Sequence, residues 1–423
     1  MTHELDQMLL LVVPVLISIL VTFFVTKFLI SYLTKHGSVV QDMPKPGKVM
    51  IPRPGGPALI AGMVAGGLAT YAVFPMTEYL VLLLSIGIGF GIGFIDDRKV
   101  MKGWFKPVML IVASLPLLIF VMDDGLSIPW YGMVTVPVLY ALLIIATMPL
   151  IGNTSNSLDV YNGLVTTSFG IAFAVMFMAY GLSGGQEEAV IGIPIIVSLL
   201  VFRHFHRLPT RIFPGDSGAI TIGVAYIGFA IVINMEIIAI IAIIPAILNS
   251  FIFLSSTKKI VEHRELKGSA VGLTDDYKLK ANREKAAVSI FRLMLAKGPL
   301  SERDISRQFY KMMGFSGFLA ICVVAIESSL LVIPVMIAGV ILFMIGNRHK
   351  RLYIMIGITA LLIVGMIVPV IGWFNETDPS VYPFRELLSV IIMLPVMAVF
   401  VGALVVMKRK LLKPLYKEFE PIE

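Results

Sequence analysis

The sequence predicts an all-α fold, a polytopic transmembrane helical bundle with one large polar loop. The chain of 423 residues is 57% hydrophobic and only 14% charged, and its mean hydropathy is +0.91. Apolar runs long enough to cross a bilayer recur from one end of the chain to the other. Basic residues gather in alternate connections between these runs, as they do in membrane proteins. Together these observations exclude an ordinary soluble protein.

The predicted spans follow one another with polar connections as far as residue 256. The first, Met8 to Ile30, follows acidic rather than basic residues and lacks a small-residue cleavage site. This pattern indicates a retained helix rather than a signal peptide. The other spans in this part of the chain are predicted at 56–75, 79–95, 107–122, 133–151, 163–182, 188–202, 217–233 and 236–256.

The apolar stretch from Phe315 to Ile345 is too long for one comfortable crossing and short for two. A tight hairpin would leave the basic residues at 348–351 in the cytoplasm, whereas a single helix would place them outside. The positive-inside rule therefore favours the hairpin. With further spans at 352–374 and 387–407, the sequence predicts about thirteen crossings.

The charges of the connecting segments predict the orientation of the chain in a cell membrane. One set of connections carries clustered Lys and Arg, at 35–53, 98–106, 203–211 and after Thr257. The alternate connections carry acidic residues such as Glu78 and Glu236. The N-terminus is therefore predicted outside, and the richly charged loops are predicted in the cytoplasm.

A first polar cluster stands where the third apolar run ends. Asp96 and Asp97 close that run, and Arg98, Lys99, Lys102 and Lys106 follow. Carboxylates at the mouth of a membrane helix are costly unless they hold a metal, another cation or a proton, and the nearby lysines suggest an anionic ligand. Taken alone, the cluster is equally well explained as the point where a helix meets water.

A second cluster follows Ile151, where Asn153, Asn156, Asp159 and Asn162 recur at every third residue. On a helical turn this spacing places the four side chains along one face. Their oxygens suit Mg²⁺, or hydrogen bonds to a sugar or a heterocycle. The structural alternative is an Asn-rich cap and turn.

A third cluster, Arg211 to Gly218, precedes another apolar span. Gly215 and Gly218 would let the backbone approach a ligand, and Asp216 and Ser217 stand at a predicted helix start. There they could hold a metal whose other ligands are phosphate oxygens. The alternative is an Asp N-cap in a Pro-Gly turn.

The fourth cluster is the long cytoplasmic segment from Thr257 to Lys311. His263 and Arg264 could clamp a phosphate there, although the composition also fits an ordinary solvated loop. Its stretch from Ala286 to Leu300 suits a helix lying in the membrane interface, or a helix packed on its own domain.

The four clusters fall on the same predicted side of the membrane. Carboxylates, amides and lysines together are the groups that Mg²⁺-assisted phosphoryl chemistry on an anionic substrate requires. The sequence shows no P-loop, zinc motif or Ser/His/Asp signature, and nothing in it indicates a nucleic-acid partner. The single cysteine, Cys322, excludes a disulfide within the chain.

These motifs resemble those of the polyprenyl-phosphate N-acetylhexosamine-1-phosphate transferases, from the N-terminus to about residue 312. Asp96-Asp97 are similar to the Asp pair after the family's third helix, and the segment 52–56 is similar to its Gly-Gly entry to the second helix. Residues 156–164 resemble its Asn-x-x-Asp-x-x-Asn-Gly-Leu motif. Residues 213–216 resemble its Phe-x-Gly-Asp motif.

The resemblance implies roles for particular residues. Asp216 and Asn162 would bind Mg²⁺, for which Mn²⁺ could substitute, and Phe213 would stack on uracil. Asp96 or Asp97 would orient or deprotonate the lipid phosphate. Lys106 and Arg264 would add positive charge at the reacting phosphate. The other residues that would bind substrate phosphates or the amino sugar are Lys99, Asn156, Asp159 and His263.

The departures from the family pattern favour its dolichyl-phosphate branch. The cytoplasmic loop offers Glu262-His263-Arg264 instead of a His-rich motif, and no lysine stands at the third position after the Asp pair. Spacing of the dolichyl type points to Lys106 for phosphate binding. The helices beyond Lys311 exceed the family's usual final crossing.

The resemblance implies Mg²⁺-dependent transfer of GlcNAc-1-phosphate from UDP-GlcNAc to a polyprenyl or dolichyl phosphate. This would be the first membrane step of N-glycan or surface-glycan assembly. The implied organisation is a transmembrane catalytic core with about ten helices (1–256), a sugar- and pyrophosphate-binding loop (257–312) and a C-terminal helical segment with a basic tail (313–423). Another UDP-amino sugar donor, including a MurNAc-type donor, an ion-coupled transporter and an inactive scaffold remain alternatives. A homodimer is one assembly that the resemblance implies.

Overall fold

Helices make up most of this protein, whose computed structural model describes residues 2–42, 47, 49–99, 101–121, 125–185, 188–257, 269–345, 347–371 and 385–418. The helices of the first half are α1 (Thr2–Lys35), α2 (Gly56–Val73), α3 (Thr77–Arg98), α4 (Phe105–Leu110), α5 (Leu115–Val121), α6 (Pro137–Ser157), α7 (Leu164–Leu182), α8 (Ala189–His206) and α9 (Gly215–Val232). Those of the second half are α10 (Glu236–Ala242), α11 (Ile244–Thr257), α12 (Ile290–Leu295), α13 (Glu302–Ser328), α14 (Val332–Met344), α15 (Lys350–Leu362) and α16 (Arg385–Leu412).

The strands in these ranges form three antiparallel two-stranded hairpins. They pair β1 (Val39–Gln41) with β2 (Met50–Pro52), β3 (Leu126–Ile128) with β4 (Gly132–Val134), and β5 (Val271–Leu273) with β6 (Leu279–Ala281). The β1–β2 register sets Val39 opposite Pro52, so that this hairpin leads directly into α2.

Ten described helices are long and apolar enough to cross a membrane, and the bent pair α10–α11 makes a further candidate. These ten candidates are α1, α2, α3, α6, α7, α8, α9, α13, α15 with its continuation to Ile371, and α16. The predicted polytopic helical bundle is therefore confirmed. Thirteen crossings require two shorter apolar segments to be counted as well, Phe105–Phe120 and Val332–Met344.

Two of the predicted straight spans are broken, and proline accounts for both breaks. The span predicted at 236–256 bends by 68° between α10 and α11, where Pro245 has no N–H to donate. The span predicted at 107–122 consists of α4, a 3₁₀ turn at Ile111–Ser114, and α5, with Pro116 in its first turn. Short helices and 3₁₀ turns are the expected result where a proline interrupts the ladder of hydrogen bonds.

The hairpin predicted between Phe315 and Ile345 is present. The chain turns between α13 and α14, and the ring centroids of Phe315 and Phe343 lie 5.1 Å apart, while those of Phe318 and Phe343 lie 6.0 Å apart. Residues late in α14 thus contact residues early in the apolar part of α13. With 13 residues, α14 is about 20 Å long, shorter than a full hydrocarbon core.

The chain divides into two compact units. Unit 1 comprises Met1–Val121 and Ile144–Ile233, and unit 2 comprises Met122–Leu143 and Asn234–Glu423. This division by contacts differs from the division into core, loop and C-terminal segment inferred from the sequence, which stays a prediction. In unit 1, α9 is the central helix, because 94% of its apolar window is buried.

A glycine controls how closely α3 approaches α9. A Cβ atom on Gly93 would lie 2.7 Å from the carbonyl oxygen of Asp216 and 2.7 Å from the Cα of Ser217. Real Cβ atoms do not approach backbone so closely, so the two helices can meet here only because residue 93 has no side chain. This contact brings the end of α3 to the first turn of α9.

We expect the Gly93→Ala substitution to destabilise unit 1. The new methyl group would force the helices apart, which typically costs about 1–3 kcal/mol. The Gly91→Ala variant is the matched control, because nothing lies within 4 Å of a Cβ at that position of the same helix. Alanine there should leave the thermal unfolding temperature in detergent unchanged or higher, and equal losses in the two variants would contradict the close approach.

In unit 2, the short helix α12 is packed inside its own unit. All six of its residues are buried, and the guanidinium of Arg292 donates hydrogen bonds to four backbone carbonyls, those of Asn282, Glu284, Ala286 and Ala287. Burial lowers the pKa of Arg292 to about 10. Of the two alternatives for Ala286–Leu300, the structure supports the helix packed on its own domain and not the interfacial helix, because the central cation organises the backbone of the loop.

Candidate active site

Three carboxylates and two cations meet in unit 1, although they are far apart in the sequence. Asp96 and Asp97 end α3, and Asp216 begins α9. Arg53 precedes α2, and Lys106 lies in the first turn of α4. We call these five residues the charged cluster.

Asp97 caps the first turn of α9. Its Oδ1 accepts a hydrogen bond from the backbone N–H of Asp216, and its Oδ2 accepts one from the N–H of Ser217, each at 2.9 Å. A carboxylate placed on the free N–H groups of a helix N-terminus is stabilised by hydrogen bonding and by the helix dipole. Gly215, with φ of +72°, supplies the turn before this contact. A Cβ there would lie 2.8 Å from both carboxylate oxygens of Asp97.

Lys106 links the other two carboxylates of the charged cluster. Its Nζ lies 2.6 Å from Oδ2 of Asp96 and 3.3 Å from Oδ2 of Asp216, and the residue is only 1% exposed. Oδ1 of Asp96 also accepts a hydrogen bond from the backbone N–H of Met101 at 2.6 Å. A buried ammonium requires such paired contacts, which here fix the position of the lysine.

Arg53 closes the charged cluster from the other side. Its Nη2 lies 3.1 Å from Oδ1 of Asp97 and 2.9 Å from Oδ1 of Asp216. Burial opposes the charged guanidinium, but the neighbouring carboxylates of Asp216 and Asp97 outweigh it and raise the pKa of Arg53 above its ordinary value. The backbone is held by two hydrogen bonds to Phe213, whose N–H donates to the carbonyl of Pro52 and whose carbonyl accepts from the N–H of Gly55.

The amide of Asn156 joins this group. With the amide oriented so that both of its atoms are satisfied, its nitrogen donates to Oδ1 of Asp216 at 3.1 Å and its oxygen accepts from Nζ of Lys106 at 3.2 Å. One member of the predicted Asn/Asp ladder therefore lies against the charged cluster.

The ladder does not form a single helical face. Helix α6 ends at Ser157, so Asp159 and Asn162 lie in the turn that precedes α7. The amide nitrogen of Asn162 donates to Oδ2 of Asp42 at 3.1 Å, and Oδ1 of Asp159 lies 3.5 Å from Nε2 of His206. The expectation of four side chains aimed in one direction is wrong, because the helix ends between the second and third of them.

His206, at the end of α8, anchors this turn. It is fully buried, its Nε2 accepts a hydrogen bond from the backbone N–H of Gly163, and its Nδ1 contacts Oγ1 of Thr166 at 3.2 Å. A neutral imidazole with its proton on Nδ1 satisfies both partners. Burial raises the pKa of the neighbouring Asp159 to about 7.

The bond from His206 to Thr166 should contribute measurably to stability. We expect Thr166→Val to lower the free energy of unfolding by about 1 kcal/mol, because it leaves the imidazole N–H without an acceptor in a buried place. Thr154→Val is the matched control, since that hydroxyl is also buried but has no hydrogen-bond partner. Thermal unfolding of both variants tests this, and equal stabilities would show that the imidazole only fills space.

The remaining predicted substrate residues are placed as follows. Phe213 is half-buried, and its ring meets that of His206 edge-on at 6.3 Å. Lys99 is exposed at the end of α3. His263 and Arg264 lie outside the described residues, so their roles stay predictions.

Sequence reasoning missed three residues near this site. The sequence indicated Arg53 only as one basic residue of the cytoplasmic set and as part of the segment 52–56, and it gave Asp42 and His206 no role. An arginine between two prolines at the entry to a membrane helix was the available signal for Arg53, because two prolines fix the backbone on either side of a charge. Local sequence gave no signal for Asp42 and His206, whose partners lie 120 and 43 residues away.

The oxygen atoms of the charged cluster suit a magnesium ion whose remaining ligands come from a substrate. No group of three His, Cys, Asp or Glu side chains able to hold a metal occurs among the residues that the structure describes. Asp96 and Asp216 nevertheless approach the same ammonium, with an amide oxygen beside it. Mg²⁺ in proteins commonly takes only one or two carboxylates, together with substrate phosphates. These residues therefore fit such an ion.

Comparison with known proteins places this site in a family context. The sequence model of glycosyl transferase family 4 matches residues 79–234, a range that includes all of the charged cluster except Arg53. A Saccharolobus solfataricus protein with the provisional name UDP-N-acetylglucosamine–dolichyl-phosphate N-acetylglucosaminephosphotransferase is 30% identical over 224 residues, 51% of this chain and 69% of the relative.

Two further relatives show the breadth of the match. A Sulfolobus acidocaldarius protein with the same provisional name is 32% identical over 201 residues, 45% of this chain and 61% of that protein. The phospho-N-acetylmuramoyl-pentapeptide-transferase of Anoxybacillus flavithermus is 30% identical over 182 residues, 40% of this chain and 56% of that enzyme. The similarity thus extends to proteins named for two different amino-sugar donors.

Proposed function

The chain belongs to glycosyl transferase family 4, the polyprenyl-phosphate N-acetylhexosamine-1-phosphate transferases, and we propose that it transfers GlcNAc-1-phosphate from UDP-GlcNAc to a polyprenyl or dolichyl phosphate. An oxygen of the lipid phosphate attacks the β-phosphorus of the donor, and the bond from that phosphorus to the UMP oxygen breaks. The products are lipid-pyrophosphate-GlcNAc and UMP. The reaction would open N-glycan or surface-glycan assembly, on the cytoplasmic face of the membrane.

The observation that carries the proposal is the charged cluster itself. Three carboxylates share two cations within a few ångströms, and the residues come from three separated parts of the chain. A membrane protein has no structural need to bury so many charges together, because desolvation makes them expensive. Transfer between two phosphates, by contrast, requires positive charge at the reacting phosphorus and carboxylates for a metal.

Each residue of the charged cluster has a definite task in this proposal. Lys106 and Arg53 supply positive charge toward the pyrophosphate of the donor. Asp97 holds the first turn of α9 and so fixes the direction of Asp216. Asp96 holds the ammonium of Lys106. Phe213 would stack on uracil, where aromatic–base contacts contribute roughly 1–3 kcal/mol.

Asp216 is the residue best placed to hold Mg²⁺, with Asn156 beside it, and Asn162 stays a predicted second ligand. Bound there, the ion would neutralise charge that develops on the pyrophosphate oxygens. An obligatory base is not needed, because a phosphate monoester with a second pKa near ~6 is already largely dianionic at neutral pH. The contacts of Asp96 and Asp97 accordingly favour positioning over proton transfer.

The relatives named for dolichyl phosphate support UDP-GlcNAc as the donor. The relatives named for N-acetylmuramoyl-pentapeptide make a MurNAc-type donor the second candidate. The experiment is UMP release by the purified protein, given a polyprenyl phosphate, Mg²⁺ or Mn²⁺, and one UDP-sugar at a time. We expect release that requires lipid, nucleotide sugar and metal together, and that is fastest with UDP-GlcNAc.

Two other outcomes have distinct meanings. Release that is fastest with a different UDP-amino sugar would retain the reaction class and overturn the proposed donor. No release with any UDP-sugar would overturn the enzyme proposal and favour the scaffold or the ion-coupled transporter. Proteoliposome uptake of the same sugars and of Na⁺ would then distinguish these two.

A further inference from the structure

A cavity of about 410 Å³ lies in unit 2, at one end of the C-terminal helices. The start of α13, the end of α14 and the start of α15 enclose it, so it stands at helix ends and not halfway along them. Its polar lining consists of Gln308, Lys311, Asn347, Arg348, His349 and Tyr353. None of these residues belongs to the charged cluster, and the proposed transfer reaction uses none of them.

The charged side chains that line this cavity are cations. Lys311 and Arg348 are its charged lining residues, and both are exposed. No ion pair joins either side chain to a carboxylate within the described ranges. The ammonium of Lys297 donates a hydrogen bond to the backbone carbonyl of Arg348, which adds a third cation at the rim. Burial, with Arg348, Arg351 and Lys350 nearby, lowers the pKa of Lys297.

A buried imidazole stands in the lining of the cavity. His349 is only 3% exposed, it lines the cavity, and its Nε2 has no hydrogen-bond partner. Its backbone N–H is held by Oδ1 of Asn347 at 2.9 Å, which fixes the residue in place. A buried polar atom of this kind is costly unless something binds it, so it indicates a ligand that brings a hydrogen-bonding group.

The opposite wall of the cavity is apolar and continues onto the outer surface of α14. Met312, Leu342, Phe343 and Ile345 form it, and the rings of Phe343, Phe315 and Tyr353 pack together as its support. Leu342 is 70% exposed and Ile345 is 67% exposed. In an apolar hairpin such exposed residues face lipid chains, so the cavity opens from a cationic mouth onto a lipid-facing surface.

We propose that this cavity binds the phosphate headgroup of an anionic membrane phospholipid, with an acyl chain lying along α14. Lys311 and Arg348 would hold the phosphate, and Nε2 of His349 would hydrogen-bond to it or to the glycerol oxygens. A free phosphate would satisfy the same cations but would leave the exposed apolar wall without a role. The predicted topology places this end in the cytoplasm, where anionic lipids concentrate.

The test is lipid binding by the full chain in detergent, measured with phosphatidylglycerol, phosphatidylcholine, glycerol phosphate and inorganic phosphate. Retention in native mass spectrometry and the shift in unfolding temperature are two readouts, and neither depends on catalytic activity. The cavity variant is Lys311→Gln with Arg348→Gln. The matched control, Arg303→Gln with Lys280→Gln, removes the same charge from exposed residues that do not line the cavity.

We expect phosphatidylglycerol to bind in preference to phosphatidylcholine, and the cavity variant to bind it about 30-fold more weakly, since each basic residue at a lipid surface contributes about five- to sixfold. The control should stay within about twofold of the original protein, because neither residue lines the cavity and exposed charges that touch no ligand are weakened by salt. Ile345→Glu should also abolish the preference, by placing a carboxylate at an exposed position of the mouth without disturbing the core.

Three results would overturn the proposal. Equal retention of the two lipids would show that the cavity does not select lipids by the charge of their headgroup. Equal losses in the cavity variant and the control would show a general electrostatic effect. Glycerol phosphate or inorganic phosphate that binds with the same dependence on Lys311 and Arg348, while phosphatidylglycerol gives no further stabilisation, would make the ligand a free phosphate.

Discussion

The Asp216→Asn variant should lose at least about a thousandfold in turnover and remain folded, because it removes the negative charge of the proposed metal ligand without changing the shape of the side chain. Asp216 is the carboxylate that contacts both Arg53 and Lys106, and it is also the best-placed metal ligand. The measurement is the rate of UMP release at saturating donor and lipid, together with the unfolding temperature in the same detergent.

Stability should change little in this variant. Asp97 still pairs with Arg53 and Asp96 still pairs with Lys106, so neither cation is left alone. Of the two pairs that this variant loses, the one with Arg53 is partly exposed and contributes less than about 1 kcal/mol. The buried Lys106 keeps its shorter contact with Asp96. Asp276→Asn, at a fully exposed loop carboxylate, is the control for a general effect of lost charge. A variant of Asp216 that turns over at a tenth of the original rate would contradict the role of this carboxylate in the reaction.

The Asp97→Asn variant should lose both activity and stability, and its loss of turnover should exceed that of Asp96→Asn, because Asp97 fixes the first turn of α9. The carboxylate of Asp97 accepts two backbone N–H groups of α9 as well as the guanidinium of Arg53. An amide can accept at only one of its two ends, so one buried N–H would face another donor, at a cost of about 1.5–3 kcal/mol. Displacement of Asp216 by an ångström would then lower turnover about 100-fold.

Asp96→Asn is the matched comparison, with the same chemical change at the neighbouring residue. Its oxygen can still accept from the N–H of Met101, but its amide nitrogen would then face the ammonium of Lys106, so the unfolding temperature should fall here too. If Asp96 only positions Lys106, turnover should fall by less than about 100-fold, the lower limit for removal of a general base. A larger loss in Asp96→Asn than in Asp97→Asn, with the two equally stable, would reverse the roles assigned here.

The membrane architecture was readable from the sequence because hydropathy and loop charge act over whole segments. The hairpin of α13 and α14 was predicted correctly from the length of the apolar stretch and from the basic residues that follow it, since the side on which those residues lie depends on the number of crossings. The bends at Pro116 and Pro245 were missed, because a window of hydropathy does not register a lost hydrogen bond. The prolines themselves were the signal.

The site was readable only in part. The sequence indicated Asp96, Asp97 and Asp216 through their positions at helix ends. It did not show which groups each of these carboxylates contacts. Which of two adjacent carboxylates meets the first turn of α9 depends on the rotation of α3 and on the absence of a side chain at Gly93. Long-range packing of this kind also placed Arg53 between two carboxylates, which no local pattern could show.

The most direct test of the account follows one phosphorus atom. The purified protein is given UDP-GlcNAc labelled with ³²P at the β-phosphate, an unlabelled polyprenyl phosphate and Mg²⁺, and the products are partitioned between organic and aqueous phases. Transfer of GlcNAc-1-phosphate predicts that the label enters the lipid fraction together with the sugar and that unlabelled UMP stays in water. Label that remains in water as UDP, while GlcNAc alone reaches the lipid, would contradict attack at the β-phosphorus and with it the task assigned to the charged cluster.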